Sequence, residues 1–252
     1  MDNPMAMLFD IAAGKGMRTV GQTNGQLSIN NFGGAGVSKQ EFLSIFKKEP
    51  WGINLVVGKS GGGKTALCVR LAEFLNRPVY AVNFLKTPEW ITPIAKLHIE
   101  ESDTNYDCYF IFPNGNTMPA DKGCTIIIDD AANILESNKM YADANETMKK
   151  LSFIARHLDI CFIINCQDSS SLNKQIISQT RTLFFKEPAL FQMSLDRDFI
   201  GKLIEEKVRP FFDSLNKSQR KFYTYVVHQD FRGVIKTGLA RGWTSAISKN
   251  KG

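Results

Sequence analysis

The clearest chemical signal in the sequence is a glycine-rich segment of eight residues: Gly58, Lys59, Ser60, Gly61, Gly62, Gly63, Lys64 and Thr65. It matches the pattern G-x-x-x-x-G-K-S/T and lies between a short β-branched run and a stretch with helical spacing. Glycines let the backbone approach a pyrophosphate, and the N-terminus of the following helix favours an anion. Lys64 is predicted to contact the β- and γ-phosphates, and the Thr65 hydroxyl to ligate Mg²⁺. The segment therefore predicts a site for ATP with Mg²⁺.

Two acids follow the apolar run Thr125–Ile128, which predicts a buried strand. At the tip of that strand, Asp129 is predicted to hold the water shell of the Mg²⁺ ion. The adjacent Asp130 is placed to orient or deprotonate the attacking water. Many sites of this kind carry the longer glutamate there, so Glu136 and Glu146 stay open as alternative bases.

A polar residue at the tip of the neighbouring strand can sense the γ-phosphate or its water. The strand predicted over 160–165 is followed by Gln167, whose amide both donates and accepts hydrogen bonds. Asn165 is a weaker candidate for the same role. We therefore expect Gln167 to be the sensor.

Two arginines are candidates for a finger that reaches the developing phosphoryl charge, often from a neighbouring subunit. Arg156 precedes the predicted strand 160–165, and Arg181 follows the helix predicted over 170–178. A surface role for either arginine stays open.

Continuously apolar strands alternate with helical patterns through most of the chain, which indicates an α/β fold with a mostly parallel sheet covered on both faces. We predict a P-loop NTPase fold of the RecA/FtsK-like kind, a three-layer sandwich. The predicted parts are an N-terminal extension over 1–50, the ATPase core over 51–215, and a basic hairpin and tail over 216–252.

Individual elements are also predicted from local signals. Helices are expected around 39–47, from Thr87, whose hydroxyl before Pro88 has N-cap chemistry, and over 195–215. A hairpin is expected from strands over 222–228 and 232–237.

The composition is that of an ordinary globular protein, with 43% hydrophobic and 22% charged residues among 252. No apolar run approaches the roughly 18 residues that span a bilayer, and residues 1–7 lack the features of a signal peptide. Five cysteines without metal-binding spacing predict buried thiols in a reducing, intracellular setting, and make a zinc site improbable.

The charge is unevenly distributed along the chain. From Lys217 onward there are eight basic residues and one acid, a net charge of +7. This asymmetry suggests contact with a polyanion, although a solvated basic tail would have the same composition.

An ordered set of motifs goes beyond a generic phosphate loop. In chain order they are GKSGGGKT, TIIIDDAANIL, ARHLDI, FIINCQD and SQTRTLFFK. Together they resemble the FtsK–HerA superfamily of DNA-pumping ATPases, in particular its small viral genome-packaging members. The resemblance covers roughly residues 50–190.

The resemblance implies roles for particular residues. Asp130 takes the place of the catalytic carboxylate, where the family usually has glutamate. Gln167 takes the place of the glutamine at the tip of the sensor strand, and the segment from Arg156 to Gln167 matches the family's arginine, strand and glutamine.

The resemblance also implies partners. Members of this kind form rings, usually hexamers, that thread double-stranded DNA. The short chain favours the viral packaging branch, which acts in the host cytoplasm or at the packaging vertex of the virion, with capsid or vertex proteins as possible partners. The basic C-terminal region would suit DNA phosphates or such a partner.

Two alternatives stay open. One is a Zot-like assembly ATPase of filamentous phages, although such proteins usually carry a membrane-spanning helix and none is visible here. The other is a nucleotide-dependent switch that binds DNA or a capsid without translocation.

Overall fold

The computed structural model describes residues 37–101, 106–131, 144–167, 178–189 and 198–247. The helix predicted over 170–178 lies almost entirely outside the described residues. The strands are β1 (Gly52–Val57), β2 (Val79–Val82), β3 (Thr92–Ile94), β4 (Lys96–Glu101), β5 (Tyr106–Ile111), β6 (Thr117–Pro119), β7 (Thr125–Ile128), β8 (Cys161–Cys166), β9 (Thr180–Phe185), β10 (Tyr223–His228) and β11 (Arg232–Lys236). The α-helices are α1 (Lys39–Lys48), α2 (Lys64–Leu75), α3 (Ala144–His157), α4 (Asp198–Leu203), α5 (Arg209–Asp213) and α6 (Lys217–Arg220).

The central sheet has eight strands in the order β11-β10-β9-β1-β8-β7-β2-β3. The pairings of β1 with β8 and β9, of β7 with β8 and β2, and of β2 with β3 are all parallel. Parallel strands end at the same edge of a sheet, so the residues after β1, β7 and β8 come together there. The predicted mostly parallel sheet is confirmed.

Side chains of successive residues in a strand point to opposite faces, and here both faces are buried. In β1, Leu55 belongs to the core that includes α3 and the helices over 198–213, whereas Val56 belongs to the core that includes α1 and α2. In β7, Ile126 and Ile127 divide in the same way. The apolar strands therefore form the middle layer of three, as predicted.

Residues at both ends of the described chain complete this architecture. The hairpin of β10 and β11 joins the central sheet because β10 pairs antiparallel with β9. Helix α1 begins at a capping box formed by Ser38 and Glu41. Its Phe42 stacks on Phe231 at 4.7 Å between ring centroids, and its Phe46 packs edge-on against Phe184. Both segments thus pack on the same core.

Two local predictions need correction. No helix begins at Thr87: Ile91 N donates to Pro88 O in a turn, and the chain enters β3 directly. Pairing of β3 with β2 outweighs the local capping signal. The long helix predicted over 195–215 is described from Asp198 to Asp213, and a π-helical segment over Ile204–Val208 interrupts it.

A small antiparallel sheet of β4, β5 and β6 lies between β3 and β7 in the chain. It packs on the main body through Phe110, which is fully buried and whose ring centroid lies 4.1 Å from that of Tyr80. The run over 108–112, which enters a Pro-Asn-Gly turn, predicts a strand, and β5 is that strand.

Candidate active site

The glycine-rich segment connects β1 to α2, as the pattern predicts. Gly63 precedes the first helical residue with φ of +87°, a left-handed conformation that strongly favours glycine. A methyl group on Gly58 would come within 2.7 Å of the Cβ of Lys186, so no larger residue fits there without movement. The loop is folded back on itself, since Gly62 N donates to Lys59 O at 3.1 Å.

Thr65 and Asp129 meet at this edge of the sheet. The Thr65 hydroxyl donates to Oδ1 of Asp129 at 3.0 Å, because β1 and β7 end on either side of the end of β8. Burial raises the pKa of Asp129, and hydrogen bonds from Asn165 and Thr65 counter that rise. A hydroxyl and a carboxylate are the hard oxygen ligands that Mg²⁺ takes in phosphate sites, with waters and phosphates completing the octahedron. The residues present therefore fit Mg²⁺.

Lys64 lies at the start of α2, and its ammonium donates to Lys59 O at 3.1 Å. Burial lowers its pKa, and the negative charges of Asp129 and Asp130 oppose that shift. A half-buried ammonium among these acids is arranged to meet phosphate oxygens.

Asn165 is more central to the site than the sequence suggested. It is 2% exposed, its amide nitrogen donates to Oδ1 of Asp129, and its amide oxygen accepts from Asp130 N at 3.0 Å. Gln167 lies just beyond the end of β8, and its side chain is exposed. The signal in the sequence for Asn165 is that it is the single polar residue of an otherwise apolar buried strand.

Asp130 follows Asp129 with φ of +49°, a left-handed conformation that aspartate tolerates better than most residues. Its carboxylate is half-buried and close enough to Lys64 to influence the pKa of that lysine. Of the alternative bases, Glu136 and the side chain of Glu146 lie outside the described residues.

Neither candidate arginine belongs to the phosphate site of its own chain. Arg181 lies where β9 begins, and its guanidinium stacks 4.1 Å from the ring centroid of Trp51 and donates to Glu49 O at 3.2 Å. Arg156 is exposed near the end of α3, which leads into the start of β8. Both therefore lie at the sheet edge opposite the phosphate loop.

The two residues directly after β9 contact the phosphate loop, although no motif in the sequence predicts a role for them. Lys186 is 1% exposed and lies behind the loop glycines. Glu187 pairs with Lys59 of the loop at 2.8 Å and with Arg220 at 2.7 Å. A lysine directly after an apolar strand gives no indication, in sequence alone, that its ammonium is buried.

The basic C-terminal residues do not form one surface. Lys221 is exposed beside the phosphate loop, where its backbone oxygen would lie 3.3 Å from a methyl group on Gly63, and Lys217 is exposed at the start of α6. Arg220, next to them, is held in the ion pair with Glu187. Arg232 is exposed at the opposite sheet edge, where β11 begins.

Among the described residues, no helix is both long enough and apolar enough to cross a membrane. The same part of the chain contains no group of three or more His, Cys, Asp or Glu side chains that could hold a metal ion.

Several solved structures are similar to this chain. The genome packaging NTPase B204 of Sulfolobus turreted icosahedral virus 2, in complex with ATP-gammaS, shares 11% identity and a TM-score of 0.48 over 76% of this chain and 99% of that one. The cytoplasmic domain of the type VII secretion ATPase EccC of Thermomonospora curvata shares 12% identity and a TM-score of 0.47 over 77% of this chain and 26% of that one. The pCW3 conjugation coupling protein TcpA, in its monomer form with ATPgS, shares 13% identity and a TM-score of 0.45 over 77% of this chain and 61% of that one.

No protein-family model and no curated protein matches the sequence. The structural neighbours include a viral packaging ATPase of the kind that the sequence motifs resemble. At these identities the likeness concerns the fold alone.

Proposed function

We propose that this chain is an ATP-hydrolysing motor that moves double-stranded DNA into a viral capsid. The observation that supports hydrolysis is the meeting of Thr65 and Asp129 at the start of the helix that follows the phosphate loop. A hydroxyl on the loop side and a carboxylate on the facing strand tip are the protein ligands that ATP with Mg²⁺ needs.

Thr65 and Asp129 would hold Mg²⁺, which would neutralise charge between the β- and γ-phosphates. The backbone N–H groups of the loop and the Lys64 ammonium would bind the phosphate oxygens. Asn165 keeps the carboxylate of Asp129 in place and at the same time binds the backbone of Asp130. Asp130 would accept the proton of the attacking water or orient that water.

The translocation part of the proposal is supported by the motif resemblance and by the exposed Lys221 beside the phosphate loop. We propose a homo-oligomeric ring, with a hexamer favoured, in which Arg156 completes the site of a neighbouring subunit. Its placement far from its own phosphate loop agrees with a role in trans. Capsid or vertex proteins would be further partners, and the packaging vertex or host cytoplasm the place of action.

The experiment that tests this function measures ATP hydrolysis with and without double-stranded DNA, alongside the mass of the assembly. Wild type should hydrolyse ATP faster with DNA and form a ring, whereas Lys64→Ala should be inactive. ATP binding without turnover in either condition would favour the nucleotide-dependent switch instead. Full activity of a strict monomer would exclude the ring.

Two charge variants, one at each edge of the sheet, test which edge meets DNA. The double variant of Lys217 and Lys221 to alanine should weaken DNA binding and reduce the salt dependence by about 0.9 in log–log slope for each lost phosphate contact. Arg232→Ala, at the other edge, should leave the slope unchanged. The reverse result would place DNA at the edge opposite the phosphate loop.

A further inference from the structure

Lys186 is a buried lysine in direct contact with the phosphate loop. Its side chain is 1% exposed, and its stem packs against the loop glycines. A methyl group on Gly58 would lie 2.7 Å from Lys186 Cβ, and one on Gly63 would lie 3.6 Å from Lys186 Cε. Its backbone N–H donates to Val57 O, the last residue of β1. The lysine therefore lines the back of the loop from its first glycine to its last.

The ammonium of Lys186 binds the segment 221–224, and none of its acceptors in the described part of the chain is a carboxylate. Nζ donates to Lys221 O at 2.7 Å, to Tyr223 O at 2.6 Å and to Thr224 Oγ1 at 3.4 Å. Burial lowers the pKa of this group to about 7. Removing a charged group from water is unfavourable, and a methionine would fill nearly the same space without that cost. The polar head at this position thus suggests a role that an apolar side chain would not perform.

Glu187 makes a second connection between the phosphate loop and the C-terminal residues, here through Arg220. Its backbone oxygen accepts from Lys59 N at 2.9 Å, and its carboxylate pairs with the Lys59 ammonium at 2.8 Å. The other carboxylate oxygen lies 2.7 Å from the guanidinium of Arg220, which also lies 3.7 Å from Asp213. Lys59, the first variable residue of the loop, is therefore held through both its backbone and its side chain.

We infer that Lys186 and Glu187 are positioning residues that hold the phosphate loop and the segment 220–224 in one arrangement ready for nucleotide. A loop with several glycines samples many conformations, and nucleotide binding would have to restrict them. The pair restricts the loop before the nucleotide arrives, which strengthens binding without contact between either residue and a phosphate. The inference rests on the proposed nucleotide site.

The test compares Lys186→Met with Phe110→Leu, a control in the small sheet whose side chain is also fully buried. Lys186→Met keeps the length of the stem and removes the donor. Its KM for ATP should rise about tenfold while kcat changes less than about threefold, because the loop binds the phosphates in both ground and transition states. Phe110→Leu should lower the melting temperature and leave KM at the wild-type value.

A wild-type KM in folded Lys186→Met, with a lowered melting temperature as in the control, would overturn the inference and leave Lys186 a structural residue. Where Lys186→Met does not fold, Glu187→Ala decides, with an expected rise in KM of about threefold. An unchanged KM in that variant would overturn the inference. A wild type that neither binds nor hydrolyses ATP would reject the proposed function instead, so the two failures are distinguishable.

Discussion

The Thr65 hydroxyl donates to the carboxylate of Asp129 at 3.0 Å across the edge of the central sheet. The two residues are far apart in the chain, and they meet because β1 and β7 both run parallel to β8 and end on either side of it. The ligands predicted for Mg²⁺ are thus brought together by strand order rather than by local sequence.

Replacement of Asp130 by asparagine should keep ATP bound but slow hydrolysis by about 10²–10⁴-fold, because the general base is lost while the shape is kept. Single-turnover hydrolysis with nucleotide binding measured in parallel checks this outcome. Glu136→Gln and Glu146→Gln are the comparison variants. If either slows hydrolysis in this way and Asp130→Asn does not, the base is one of those glutamates.

Replacement of Asn165 by leucine should shift the acid limb of the kcat/KM profile to higher pH. Burial already raises the pKa of Asp129, and the hydrogen bond from Asn165 is among the interactions that hold it down. Without that bond, Asp129 stays protonated to a higher pH and is then unable to ligate Mg²⁺. The kcat/KM profile reports on the free enzyme, which makes it the appropriate measurement. Gln167→Leu is the control, and an equal shift in both variants would contradict the assignment.

The stability of wild type relative to Lys186→Met should rise as the pH rises from about 7 toward the ordinary lysine pKa of 10.5. Over that window the unfolded chain binds a proton that the native lysine lacks, so the free energy of unfolding increases by at most about 1.4 kcal/mol per pH unit. Below that window the lysine is protonated in both states and the difference is constant. Urea unfolding of both proteins at several pH values checks this, since other groups titrate alike in the two. A difference that stays constant up to pH 10 would mean that the native lysine keeps its proton.

Mixing two inactive variants tests the arginine supplied across a subunit interface. Arg156→Ala chains keep their own Lys64, and Lys64→Ala chains keep Arg156, so some interfaces in a mixed ring pair an intact loop with an intact arginine. Partial recovery of hydrolysis is expected, by analogy with arginine fingers worth about 10³–10⁵ in rate. For Arg181→Ala, hydrolysis should not depend on mixing with Lys64→Ala chains, because that arginine packs on Trp51 of its own chain. Full activity of Arg156→Ala alone would exclude it as the finger.

The α/β fold and the phosphate loop could be predicted because they rest on local signals: apolar strands, helical spacing and a glycine pattern. The role of Asn165 could not be separated from that of Gln167, because the residue that faces Asp129 depends on how far β8 extends before it ends. The burial of Lys186 was not predictable either, since two of its three acceptors lie on β10, which pairs with β9 on the side away from β1.

The pairing of β10 with β9 limits how this protein can be shortened. The basic region begins before β10, so deletion from Lys217 would remove two strands of the central sheet along with the positive charge. It would uncover Phe184 and take away the oxygen atoms that surround the Lys186 ammonium. Loss of ATP hydrolysis in such a truncated chain would therefore say nothing about DNA, and the contribution of the basic residues has to be measured by side-chain replacements that leave β10 and β11 in place.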